Sequence, residues 1–119
     1  MKNTWYKFFY LLLITLVLIG VTTLTACSST SLTPVSSNSV TMSNLAFSPV
    51  TLTVKVGTTV TWTNNDTSMT YNIISDSGVF QSSDLVPTET FSYTFNNVGT
   101  FAYHCGIYTY MKGSIVVVQ

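Results

Sequence analysis

Beyond Val40, apolar and polar residues alternate in short runs. Val50-Thr51-Leu52-Thr53-Val54-Lys55-Val56 places an apolar side chain at every second position, which is the period of a half-buried strand. Gly57 marks a turn. Val60-Thr61-Trp62-Thr63 resumes the pattern until Asn64-Asn65-Asp66 breaks it. Tyr71 to Ser75 predicts the next strand, closed by the turn signal Asp76-Ser77-Gly78. Phe91, Tyr93 and Phe95 share one face of a further strand, and Asn96-Asn97-Val98-Gly99 turns the chain into Thr100 to His104. The last strand is expected from Ser114 to Val118. No helix-length periodic stretch interrupts this series. Many short strands with regular turn signals predict an all-β chain folded as an antiparallel sandwich.

The N-terminal part follows a different pattern. Lys2 and Lys7 precede an apolar run from Phe8 to Val21, and Leu24-Thr25-Ala26-Cys27 follows. A basic head, an apolar stretch and small residues before a cleavage point describe a secretory signal peptide. The Leu-Thr-Ala-Cys ending resembles a bacterial lipobox, whose Cys is lipidated and becomes the mature N-terminus. An uncleaved anchor with an incidental Cys27 is the other reading. The expected organisation is a signal peptide over 1–26, then lipidated Cys27 with a flexible Ser/Thr-rich tether over 27–39, then one small domain over 40–119. The domain is expected outside the cytoplasm, on the periplasmic or outer cell surface, held to a membrane through Cys27.

Charge and cysteine count narrow the function. Past the signal segment, Lys55 and Lys112 stand against Asp66, Asp76, Asp84 and Glu89, a formal net charge of −2. The sequence has no Arg, so it offers no basic surface for nucleic acid. Cys105 is the only thiol besides Cys27. It is either a small buried hydrophobe or a metal ligand, and no disulfide framework is available to it. The single His has no activated Ser or Cys partner, and the carboxylates lie in separate turn segments. No enzyme is expected.

The segment Phe101-Ala102-Tyr103-His104-Cys105-Gly106-Ile107-Tyr108-Thr109-Tyr110-Met111-Lys112-Gly113 resembles the C-terminal ligand loop of the cupredoxins, blue-copper proteins such as plastocyanin and amicyanin. Phe47-Ser48-Pro49, the stretch Val54 to Asn64, and Phe91-Ser92-Tyr93-Thr94-Phe95 look like other family strands, in the family's order. The resemblance implies a cupredoxin-like Greek-key β-sandwich, mononuclear copper and one-electron transfer to a protein partner. Matched residue by residue, Cys105 takes the thiolate position and Met111 the axial one. Tyr108 and Tyr71 fall where the family carries its two His ligands. A phenol oxygen lies farther from Cβ than the coordinating imidazole nitrogen, and the phenol stays neutral below a pKa of ~10. The ordinary blue-copper site is therefore not expected to form unchanged.

His104 neighbours Cys105 on a strand, so the two side chains should face opposite ways. Met69, two residues before Tyr71, would share its face if both lay on a strand, and could join Cys105 and Met111 in a sulfur-rich pocket suited to Cu(I). Three readings follow. The first is an altered copper-related role with Cys105 and Met111 retained. The second is a metal-free binding or structural lipoprotein domain, its ligand end filled by Tyr71, Tyr108, Tyr110 and Ile107. The third is a sulfur-ligand Cu(I) handling protein. In each, the Ile107/Tyr108/Tyr110 end could dock a redox or other partner.

Overall fold

A computed structural model of the chain describes residues 37–119. The expected signal segment, Cys27 and the expected tether up to residue 36 lie outside the described residues. Eight strands build two four-stranded sheets: β1 (Ser39–Ser43), β2 (Ala46–Ser48), β3 (Thr51–Lys55), β4 (Thr58–Asn64), β5 (Ile74–Ser75), β6 (Thr90–Phe95), β7 (Gly99–His104) and β8 (Lys112–Val118). One sheet runs β2-β1-β4-β6 and the other β3-β8-β7-β5. The two-residue period holds in the packing. Leu52 and Val54 of β3, Val60 and Trp62 of β4, and Ile115 and Val117 of β8 are buried between the sheets, and the residues between them are exposed or half-exposed.

Two features depart from the sequence expectation. The sandwich is not purely antiparallel, because β1 runs parallel to β4 and β3 parallel to β8. Alternation tells which face of a strand is buried but not which neighbour it pairs with. Second, the strand expected over Tyr71–Ser75 shrinks to Ile74–Ser75. Residues before it bond the segment crossing between the sheets. Tyr71 and Leu85 exchange both main-chain hydrogen bonds (3.1 and 2.7 Å), and Ser82 N–H donates to the Ile73 carbonyl at 2.9 Å. The hairpin of β1 and β2 carries Asn44 and Leu45 at its turn, with φ of 52° and 60°. Such turns usually announce themselves as Asn-Gly; Leu in the second place hides this one.

The core is aromatic. Trp62 lies 5.5 Å from both Phe80 and Tyr103, edge-on to the latter, and 5.7 Å from Phe91. Tyr103 on β7 stands beside Gly113 on β8 in register. A Cβ at Gly113 would come within 2.5 Å of the Tyr103 ring, so the ring occupies the space a side chain would need.

Candidate functional site

The loop from Cys105 to Met111 joins β7 to β8 at one end of the sandwich. Its stem is the β7–β8 ladder, which runs up to His104 opposite Lys112. Above it the Cys105 N–H donates to the Met111 carbonyl at 3.0 Å, and the Met111 N–H to the Tyr108 carbonyl at 2.9 Å. The loop thus closes on itself with Cys105 and Met111 side by side at its base, both buried. The Cys105 Sγ receives the Tyr108 N–H at 3.5 Å and sits 3.6 Å from Asn72 Oδ1.

Asn72 organises this loop, and sequence reasoning missed it. Its Oδ1 accepts the N–H groups of Gly106 (2.7 Å) and Ile107 (3.2 Å), while its Nδ2 donates to Asp84 at 3.1 Å. The carboxylate can only accept, so Asp84 fixes which way the amide faces. Gly106 allows the approach, since a Cβ there would meet Ile74 Cδ1 at 2.6 Å and Asn72 Oδ1 at 3.1 Å. A polar residue beside Tyr71 was the one available signal.

Tyr71 is fully buried and packs edge-on to Tyr108, ring centroids 5.8 Å apart. Tyr108 is half-buried and lies 6.3 Å from Tyr110. Tyr110 and Ile107 are exposed. The Tyr71 hydroxyl donates to Asp66 Oδ2 at 2.8 Å and accepts the Leu45 N–H at 3.1 Å. Burial raises the Tyr71 pKa, and the adjacent Asp66 carboxylate adds to this.

The same bond acts on Asp66. The Tyr71 hydroxyl, helped by the N–H groups of Asn44, Ser68 and Thr67, holds its carboxyl at about 2, against an ordinary 3.8. A carboxylate with a depressed folded pKa stabilises the fold above its unfolded pKa, and that stability is lost as pH falls through the folded one. We expect the chain to lose stability between about pH 4 and pH 2, and Asp66→Asn to flatten that part of the profile. Urea midpoints across this range check it; an unchanged acid slope in Asp66→Asn would count against the assignment.

Met69 does not share a strand face with Tyr71. No strand covers residues 69–71, and Met69 is a half-buried loop residue whose carbonyl receives Asn64 Nδ2 at 2.8 Å. His104 is half-exposed while Cys105 is fully buried, and its Nδ1 pairs with Asp76 Oδ1 at 2.6 Å. Among the described residues, no three of His, Cys, Asp or Glu gather in one place.

Comparison with known proteins gives this arrangement its context. A family model for the cupredoxin-like domain matches residues 14–117. The chain belongs to the cupredoxin-like family. Cupredoxins typically bind copper and transfer single electrons. This one is 38% identical over 71 residues to an amicyanin from Paracoccus denitrificans, covering 56% of this chain and 53% of the relative. It thus spans about half that relative's length. It is 33% identical over 89 residues to amicyanin-alpha from Methylorubrum extorquens, covering 71% of this chain and 74% of the relative. Its fold is similar to a purple cupredoxin from Nitrosopumilus maritimus, with TM-score 0.61 and 30% identity over 67% of this chain and 98% of that one.

A blue-copper centre of the type cupredoxins carry takes two imidazoles, a thiolate and a weak thioether. The donors here do not fit it. This cupredoxin has one His in its whole sequence, and that His is paired with Asp76. What this end does offer is a thiol and a thioether from one short loop, a soft donor pair that suits Cu(I).

Proposed function

We propose that this cupredoxin is an exported, membrane-tethered domain that keeps a copper-related role by taking one Cu(I) ion between Cys105 and Met111. On this reading Tyr71 and Tyr108 stand at the family's two His positions, and the blue-copper centre is absent. The observation that carries the proposal is the closed loop, which bonds Cys105 to Met111 through their backbones and buries both residues. When bound, the ion would supply a redox-capable centre in its lower oxidation state. The chain's own residues hold the loop. Asn72 fixes the Gly106 and Ile107 amides, and the Tyr108 N–H faces the Cys105 sulfur. Ile107 and Tyr110, exposed on that loop, form the apolar face on which a partner protein would dock. The export signal and Cys27 lipidation are carried by the sequence pattern alone.

The test is a Cu(I) competition titration of the full-length chain in detergent, under reducing conditions. One Cu(I) per chain is expected. Cys105→Ser should weaken binding by about 100-fold or more, and Met111→Leu by about tenfold, at or above the effect of losing a residue that only supports a ligand. Loading with Cu(II) should give no intense visible band. Absence of binding, or equal affinity in both variants, would discard the copper role. The aromatic end would then be a metal-free docking surface.

A further inference from the structure

The hydrogen bonds of Tyr71 point to a role other than ligation. We infer that Tyr71 is a positioning residue whose hydroxyl pins the β1–β2 turn to the loop after β4, which removes position 71 from any donor set. The inference concerns the metal-free fold and holds whether or not copper binds.

The turn needs holding. Asn44 and Leu45 both adopt left-handed backbone conformations, which non-glycine residues enter at a cost of roughly 1–2 kcal/mol each. Leu lacks even the local side-chain hydrogen bond that eases Asn into this region. Both N–H groups point out of the hairpin and find partners far along the chain. Asn44 N–H donates to Asp66 Oδ2 at 3.1 Å and Leu45 N–H to the Tyr71 oxygen at 3.1 Å. The Tyr71 O–H then donates to the same Asp66 Oδ2 at 2.8 Å. The four groups form a linked ring: turn amide, carboxylate, phenol, turn amide. The other carboxylate oxygen receives Thr67 N–H and Ser68 N–H.

This ring commits the phenol. A hydroxyl has one proton to give, and Tyr71 gives it to Asp66; its oxygen accepts from Leu45. The side chain is fully buried, so no water competes. The length that makes tyrosine a poor substitute for histidine as a ligand carries its oxygen to these loops. An imidazole at position 71 is too short to bridge both Asp66 and Leu45, and phenylalanine has nothing to bridge with. Positions 71 and 108 are therefore not equivalent. Tyr108 meets Tyr71 through its ring and is half-exposed, with no side-chain hydrogen bond among the described residues.

The experiment is hydrogen exchange on the full-length, copper-free chain in detergent, followed on the segment holding Asn44 and Leu45. In Tyr71→Phe we expect exchange there to rise by about tenfold, the loss of one hydrogen bond of ordinary worth, with the β7–β8 ladder protected as before. Asp66→Ala should loosen the same segment, and combining the two should add less than the two effects together. If Tyr71→Phe does not fold, Asp66→Ala decides the matter. A second measurement separates the two tyrosines. Tyr108→His should gain copper affinity over the parent, while Tyr71→His should gain none and should release the turn. Unchanged exchange at Asn44 and Leu45 in folded Tyr71→Phe overturns the inference. So does a Tyr71→His chain that keeps the turn protected and gains copper affinity.

Discussion

Gly113→Ala is expected to destabilise the domain by about 3 kcal/mol, the upper end of what one inserted methyl costs in a full core. The added Cβ would lie 2.5 Å from both Cζ and Oη of Tyr103 and 2.8 Å from Cε2. The ring has nowhere to go. Phe47 meets it edge-on at 4.8 Å, Trp62 edge-on at 5.5 Å, and Phe80 lies 6.2 Å away. Backbone on both sides belongs to the β7–β8 ladder, so neither strand can withdraw without breaking its hydrogen bonds. A domain of this size holds only about 4–12 kcal/mol, so the melting temperature should fall by about 12–24 °C. Thermal unfolding followed by near-UV circular dichroism measures it. Tyr103→Leu placed in the same chain should recover part of the loss, since the two changes share one space. A fall of less than about 4 °C for Gly113→Ala alone would mean that the ring is not held as described.

Asn64→Asp should have a comparable effect for an electrostatic reason. Asn64 is fully buried at the end of β4. Its amide donates to the Met69 carbonyl at 2.8 Å and the Leu85 carbonyl at 2.9 Å, and its Oδ1 accepts the Asp66 N–H at 2.9 Å. One side chain thus ties the loop after β4 to the segment crossing between sheets. Aspartate has the same shape but turns two donors into a charged acceptor that faces two carbonyls. About 3 kcal/mol or more should be lost near pH 7, from stranded carbonyls and an unpaired buried charge. Burial raises the pKa of such a carboxyl above its unfolded value of ~4. The variant is then least disadvantaged at low pH, where it is neutral, and the penalty grows as pH rises. Measured against the parent at about pH 7 and about pH 5, the stability gap should be wider at the higher value. An equal gap at both would sink this account.

Much of the scaffold could be read from residue order alone. Val50 to Val56, Val60 to Thr63 and Phe91 to Phe95 alternate clearly enough to place β3, β4 and β6, and the ligand-loop resemblance places β7 and β8 on either side of Cys105 and Met111. The parallel pairings of β1 with β4 and β3 with β8 were not legible, because a period of two carries no information about neighbours. The β1–β2 hairpin was hidden by Leu45 in a position where glycine is the usual sign. At the candidate site, the adjacency of Cys105 and Met111 was readable, since one short loop holds both. The tie from Tyr71 to Leu45, and the hold of Asn72 on Gly106 and Ile107, were not, because each depends on segments more than one strand apart coming to the same end. Met69 was misplaced for a related reason. The expected strand through Tyr71 gave way to bonds with Leu85, and its facing rule went with it.

Strand β8 lies inside its sheet, between β3 and β7. It supplies Gly113, Ile115 and Val117 to the buried layer and pairs with β3 from Thr51–Ser114 to Lys55–Val118. Both β3 and β7 therefore depend on a partner that follows them in the sequence. A nascent chain short of β8 cannot close the sheet, and pairings of such long sequence separation form slowly. Joining β3 to β8, the pairing that spans the longest stretch of sequence in either sheet, is therefore expected to be the slow step that completes this layer.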